Sequence, residues 1–339
     1  MAFLQPNAVV LSGIRFTLFL LFLILGNQAL MAQNVAPTAV DDSYSTGLNT
    51  TLNVPANGVI SNDTDPNGTA GLTVNPTPVT LPSNGALTLN SDGSFSYVPN
   101  PGFSGTDSFE YQVCDDGTPN EIVSRFDFDD PNLALATIGP DATAVSPLAA
   151  QTGCGIHIAS GAGGSVGIDV FVPNTGNIFN FTSFRADFEY QDQEGTADIA
   201  TAGNFRIWHI GSNNLGVEVQ VIDGNTGTPA TYSVNLGAFL SGNNPYTIEY
   251  DELTGNIIYT ANGTTTTFAL APAYSPLNTT LATQIHVGRF MDSSGSAIPS
   301  LCSIQFTDTS KLCDTGLVTL TIPTSVITNR RITYRVNRN

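Results

Sequence analysis

The stretch FEYQVCDDGTPNEIVSRFDFDD, residues 109–130, decides how this chain is read. Phe109, Tyr111 and Val113 alternate with polar residues, as one face of a half-buried strand requires. Cys114 and a turn-rich DDGTPN follow, so the segment reads as the outgoing arm of a hairpin. No return arm comes next, because IVSRFDFDD is a fresh start. A fitting return, KLCDTGLVTLTIP, stands at 311–323, with its own Cys313 and the alternation Val318, Leu320, Ile322. The hairpin is therefore read as open at its tip, with residues 121–310 inside it.

One condition makes such an insertion physically acceptable. Paired strands lie only about 5 Å apart, so the insert must begin and end side by side. Its first strand candidate is IVSRFDFD, and its last is CSIQFTDT, where Ile304 and Phe306 alternate with polar residues. Antiparallel pairing of these two would bring residues 121 and 310 together. Hairpin tips are also where insertions strain a fold least.

The rest of the chain reads as all-β. Alternating segments recur between clusters of Gly, Pro, Asn, Asp and Ser, as in GALTLNSDGSFSYVPN, FTSFRADFEYQ, LGVEVQVID and YTIEYDELTGNIIYTANGT. Near the start, Arg15 precedes an apolar run of about 11 residues, short of the roughly 20 of a membrane-spanning helix. With small residues near Ala29 and Ala32, this pattern predicts a secretory signal peptide over 1–32, and a protein that is secreted or held at the cell surface. No later segment is apolar enough to span a membrane. A formal net charge of −18 argues against nucleic acid and anionic membranes as partners. Four arginines crowd the basic tail, 326–339.

Residues 35–119 with 311–323 resemble the bacterial cadherin-like or Ig-like tandem repeats of large surface adhesins. The words that carry the resemblance are APTAVDDSYST, VISNDTDP, LTLNSDGSFSYVPNPGFSGTDSFEYQV and the closing LCDTGLVTLTI. In that family a CDDGTP turn runs straight into the last strand; here it opens after Asn120 and closes at Lys311. Residues 121–310 resemble concanavalin A-like, laminin G-type jelly rolls through RFDFDD, LGVEVQVIDG, PYTIEYDELTGNIIYTANGT and CSIQF. The expected organisation is a discontinuous cadherin-like sandwich, 33–120 plus 311–325, around an inserted jelly roll, 121–310. The resemblance implies an adhesion protein whose stalk presents a lectin-like domain to a glycan or an extracellular protein. Calcium often assists binding in such domains.

Cysteines, carboxylates and aromatics supply the candidate sites. In a secreted chain four cysteines favour disulfides; Cys114 with Cys313 and Cys154 with Cys302 is the favoured pairing of the three. Calcium takes clustered oxygen ligands, and the candidates are Asp63 and Asp65 in NDTDPNG and Asp127 and Asp129 in RFDFDD. A glycan platform needs exposed aromatics, for which Trp208, Tyr246, Tyr250 and Tyr259 are the candidates. Hydrolysis would need two carboxylates about 5–5.5 Å apart for a retaining mechanism. FEYQDQEG offers only Glu189, Asp192 and Glu194, with Glu189 on the opposite face from the other two. A non-enzymatic binding protein is therefore the expectation. The alternatives are a glycoside hydrolase using those three carboxylates and a structural spacer.

Overall fold

The computed structural model describes residues 34–151, 155–158, 169–192, 198–210, 213–289 and 300–324. The expected signal peptide, the basic tail, Cys154 and Glu194 lie outside the described residues, as does the side chain of Asp192. Every regular element of more than three residues is a strand, and the fold is all-β. Among the described residues no helix is long and apolar enough to cross a membrane.

The opened hairpin closes across the insertion. Strand Gly105–Cys114 pairs antiparallel with Cys313–Ile322 in one unbroken register, from Cys114 opposite Cys313 to Gly105 opposite Ile322. A disulfide joins the two cysteines, whose Cα atoms stand 4.1 Å apart. Asp42–Ser45 adds a parallel strand to Cys313–Ile322, and Thr73–Val74 flanks Gly105–Cys114 on the other side. A second sheet, Leu52–Val54, Phe95–Pro99 and Gly85–Leu89, covers the first. Between them Phe95, Tyr97, Phe109, Tyr111, Val113, Val318, Leu320 and Ile322 form a closed apolar core. Each such side chain contributes roughly 1.5–3 kcal/mol by leaving water. Gly316 lies opposite Tyr111, and a Cβ there would stand 2.5 Å from the phenol ring. The glycine is what lets that ring lie across the neighbouring strand.

The inserted segment satisfies the end-to-end condition. Its first strand, Glu121–Phe126, pairs antiparallel with its last, Ser300–Asp308, placing Glu121 opposite Asp308. At the base, fully buried Asp115 holds the two crossings together: its Oδ1 accepts the N–H groups of Gly117 and Leu312, at 2.8 and 3.0 Å. Lys311 Nζ donates to the carbonyl of Asp116.

Two antiparallel sheets build the insert. Among the described residues one runs Thr264–Ala269, Asn256–Ala261, Gly242–Asp251, Phe184–Asp192, Ser300–Asp308, Ile156–Ile158, Ala149–Gln151, with Glu121–Phe126 beside Ser300–Asp308. The other runs Pro229–Ala238, Asn214–Ile222, Phe205–Ile210, Asp198–Thr201, Ile285–Arg289, Val170–Val172, Ala144–Val145. Their facing sides form a separate core rich in aromatics, with Phe184 stacked on Phe205 at 4.8 Å and Phe188 on Tyr246 at 5.4 Å. Tyr274 touches the host, its hydroxyl donating to the carbonyl of Val74 at 2.8 Å.

Candidate functional site

Strand parity decides what each sheet shows to solvent. In Phe184–Asp192, the residues Phe184, Ala186, Phe188 and Tyr190 face the core, so Arg185, Asp187 and Glu189 face outward. The cross-strand register then assembles a polar strip that no single segment reveals. Asp187 lies opposite Thr247 on one side and Gln305 on the other, and Gln305 lies opposite Arg125. Glu189 lies opposite Pro245 and Ser303. These residues line a shallow groove of about 250 Å³ over the outer face.

The strip is held by bonds within itself. Arg185 grips Asp187 with two donors, Nε at 2.9 Å and Nη2 at 2.8 Å. Thr247 Oγ1 donates to the same carboxylate at 2.7 Å. Asn243 Nδ2 donates to Glu189 Oε1. Arg125 pairs with Asp127, which also accepts from Thr137 Oγ1 at 2.8 Å. Burial acts to raise the Asp127 carboxyl, but the bonds from Arg125 and Thr137 and the arginine charge hold it below its usual range. Such fixed, satisfied donors and acceptors suit recognition of hydroxyl groups, whose paired O–H and lone pairs can bridge neighbouring side chains.

The aromatic candidates separate. Trp208 stands on the outer face of the other sheet, with the Arg206 guanidinium carbon 5.0 Å from its ring centroid and Arg206 paired to Asp198 at 2.7 Å. Gly216 lies across from it, and a Cβ there would stand 2.4 Å from Ile210 Cδ1 and 3.3 Å from Trp208 Cε2. That gap lets both side chains lie down on the sheet. The expectation of a platform built from Tyr246, Tyr250 and Tyr259 is corrected: they are 1, 0 and 8% exposed and belong to the core. Thr247 and Glu249 take the outward positions on that strand, and the buried hydroxyls are used internally. Tyr250 donates to the Ser275 carbonyl, and Tyr246 accepts from Leu240 N–H.

The carboxylates proposed for calcium are likewise dispersed. Asp63 turns inward, accepting from Val40 N–H at 2.8 Å and from Tyr111 O–H at 3.0 Å. Asp65 caps its own turn through Asn67 N–H. Asp127 is committed to Arg125, and Asp129 is exposed. Among the described residues no group of three or more His, Cys, Asp or Glu side chains is placed to hold a metal ion. Of the hydrolytic alternative only Glu189 can be placed, in the groove beside Asn243. Cys302 is disulfide-bonded, and its expected partner Cys154 lies outside the described residues.

Sequence reasoning missed the structural carboxylates Asp42, Asp107, Asp115 and Glu252. Their only local signal was an acidic residue in an otherwise apolar or turn-forming run. Asp107 replaces an apolar residue at an inward position of GTDSFEYQV, which alternation does expose.

Residues 34–124 match the family of bacterial cadherin-like domains. No curated protein matches the chain. Solved structures that resemble it include the binding domain of botulinum neurotoxin DC, in complex with rat synaptotagmin II. That likeness has 14% identity over 58% of this chain and 49% of that one, at a TM-score of 0.41. Another is the CBM40 of a Ruminococcus gnavus IT-sialidase bound to alpha2,3 sialyllactose. It is 14% identical over 42% of this chain and 88% of that one, at a TM-score of 0.29. The chain spans about half the length of the neurotoxin domain. At these scores neither likeness bears on what this chain binds.

Proposed function

We propose that this chain is a secreted or surface-held adhesion protein without enzymatic activity, in which a cadherin-like sandwich displays a lectin-like, laminin G-type one. The polar groove over Asp187, Glu189, Thr247 and Gln305 is the ligand site, and a neutral glycan is the ligand class it fits best. One observation carries the reading. Arg125, which lines the groove, and Arg185, which is paired to the groove's Asp187, are already held by carboxylates, Arg125 by Asp127 and Arg185 by Asp187, in a chain of net charge −18. An acidic sugar would have to break such a pair and approach Glu189 as well. A neutral sugar can use Glu189, Gln305 and Thr247 without disturbing either. Among the described residues no exposed aromatic lines this groove, so binding rests on hydrogen bonds, each worth about 0.5–1.5 kcal/mol net.

A glycan array comparing neutral and sialylated oligosaccharides tests this. Neutral hits that weaken at least about tenfold in Glu189→Ala, equivalent to about 1.4 kcal/mol, are expected. Hits confined to sialylated sugars, or binding indifferent to Glu189→Ala, would remove the groove from the reading. Release of reducing sugar, lost in Glu194→Gln, would favour the hydrolase; silence in both assays would leave a spacer. Calcium assistance is part of the same proposal. Melting with calcium and with chelator should differ if the ion contributes, and equal midpoints would exclude it from the reading.

A further inference from the structure

Four strands end the two sheets of the inserted sandwich among the described residues: the short Ala144–Val145 and Ala149–Gln151, and the longer Pro229–Ala238 in one sheet and Thr264–Ala269 in the other. Among the described residues neither of the longer two pairs with anything on its outer side. An unpaired edge is a template for another strand, and proteins usually guard it with charge, proline or a bulge. Here the guards stand only at the ends of the longer strand. Pro229 begins it, and the register shift at Leu215/Gly216 adds an extra residue near Leu236. Between them ATYSVN, residues 230–235, carries no charge, and neither does TTTTFA, residues 264–269. In so acidic a chain these two edges are uncharged ground.

The direction of the free backbone groups follows from the ladder. Gln220 uses its N–H on the Asn204 carbonyl and its own carbonyl on Asn278 N–H, both away from Pro229–Ala238. Gln220 faces Thr231 and Glu218 faces Ser233, so these are pairs without mutual backbone bonds. The N–H and C=O groups of Thr231 and Ser233 therefore point outward from the sheet edge. Their side chains are exposed, while Tyr232 and Val234 turn toward the core as half-buried residues at its margin. Phe268 belongs to the same margin from the second sheet.

We infer that the Pro229–Ala238 edge pairs antiparallel with the same edge of a second copy, about a two-fold axis through Ser233. The partner follows from self-complementarity. An isologous contact sets each residue against its mirror position, which excludes edges bearing like charges and admits one bearing none. In this register Ser233 meets Ser233, and Thr231 meets Asn235. The nearest outward acid, Glu218, lies one strand in on each copy, so the two carboxylates stand about 14 Å apart, beyond a Debye length of about 8 Å. Continuing the sheet also covers the margin formed by Tyr232 and Val234. This reading goes beyond the proposed groove, which lies on the other sheet and is not covered.

Sedimentation of the secreted chain and a cysteine cross-link test it. The native protein should show a concentration-dependent dimer. Ser233→Lys should shift the equilibrium toward monomer at least about tenfold while its melting midpoint is kept, since the Ser233 side chain is exposed and faces Glu218 within its own copy. Among the described residues no cysteine is free, so Ser233→Cys should give a disulfide-linked dimer on mild oxidation and Glu218→Cys should not. A native chain that stays monomeric into the high micromolar range, or a Ser233→Lys dimer as tight as the native one, overturns the inference. So does equal cross-linking at both cysteines, or an edge occupied by an unrelated extended peptide instead.

Discussion

Replacing Cys114 and Cys313 together by serine should destabilise the host sandwich by about 3 kcal/mol, not about 5, and leave unfolding of the insert unchanged. The disulfide spans 199 residues of sequence. A loop that long, if fully flexible when the host unfolds, would correspond to about 5 kcal/mol of lost closure entropy. Glu121 and Asp308 are paired neighbours, however, and the insert has its own apolar core. While that core holds, the unfolded host sees only the short crossings 115–120 and 309–312 joined through a rigid body, and a loop of about 15 residues corresponds to about 3 kcal/mol. The chain has a single tryptophan, Trp208, and it lies in the insert. Tryptophan fluorescence during denaturation thus reports the insert alone, and far-ultraviolet dichroism reports both sandwiches. Two transitions, only the host's moving in the double serine variant, are expected. One coincident transition, or a loss near 5 kcal/mol, would show that host and insert unfold as one.

The all-β class and the disulfide were legible because both are local patterns or pairs of local patterns. FEYQVC and LCDTGLVTLTI each alternate with period two, and each has a cysteine at the end nearest the break. Register across distant strands was not legible. Nothing near Asp187 says that Thr247 will stand beside it, and the groove exists only through that register. The tyrosines failed for a different reason. In PYTIEYDE the residues between Tyr246, Ile248 and Tyr250 are Thr247 and Glu249, so parity already placed both rings with the isoleucine. Aromatic identity alone does not say which face of a strand a ring occupies. The Asp63 and Asp127 candidates show that turn or strand-end acids serve the fold first: one accepts a buried phenol and the other holds an arginine.

Two carboxylates of the host should respond to substitution in opposite directions. Asp107 accepts four bonds, from Ser83 N–H and Ser108 N–H at Oδ1 and from Asn84 N–H and Tyr97 O–H at Oδ2. Asp107→Ala would take the acceptor from one buried hydroxyl and three part-buried N–H groups, so a loss of about 2–3 kcal/mol is expected at pH 7. Asp42 is 9% exposed, and its Oδ2 has no hydrogen-bond partner. Burial first, and then the charge of Asp63, push its carboxyl up to about 7. Between the ordinary carboxylate range and pH 7 the unfolded chain ionises Asp42 while the fold keeps its proton, so rising pH favours unfolding across that window. For Asp107 burial acts upward, but its four bonds together hold the carboxyl below its usual value. Its contribution is present at neutral pH and is lost as acid protonates it. The native host should therefore become more stable as pH falls from 8 to about 5, then lose stability below about pH 4. Asp42→Asn should reduce the first limb, to which buried Asp63 and Asp115 contribute in the same direction, raising stability at pH 8 on the order of 1 kcal/mol once solvent screening is allowed for, and leave the second intact. Asp107→Asn should do the reverse, flattening the acid limb at lower stability throughout. Melting curves of the three proteins from pH 3 to 8 decide this. A native profile that rises monotonically to pH 8 would mean that Asp42 ionises freely within the fold, and that its burial costs nothing.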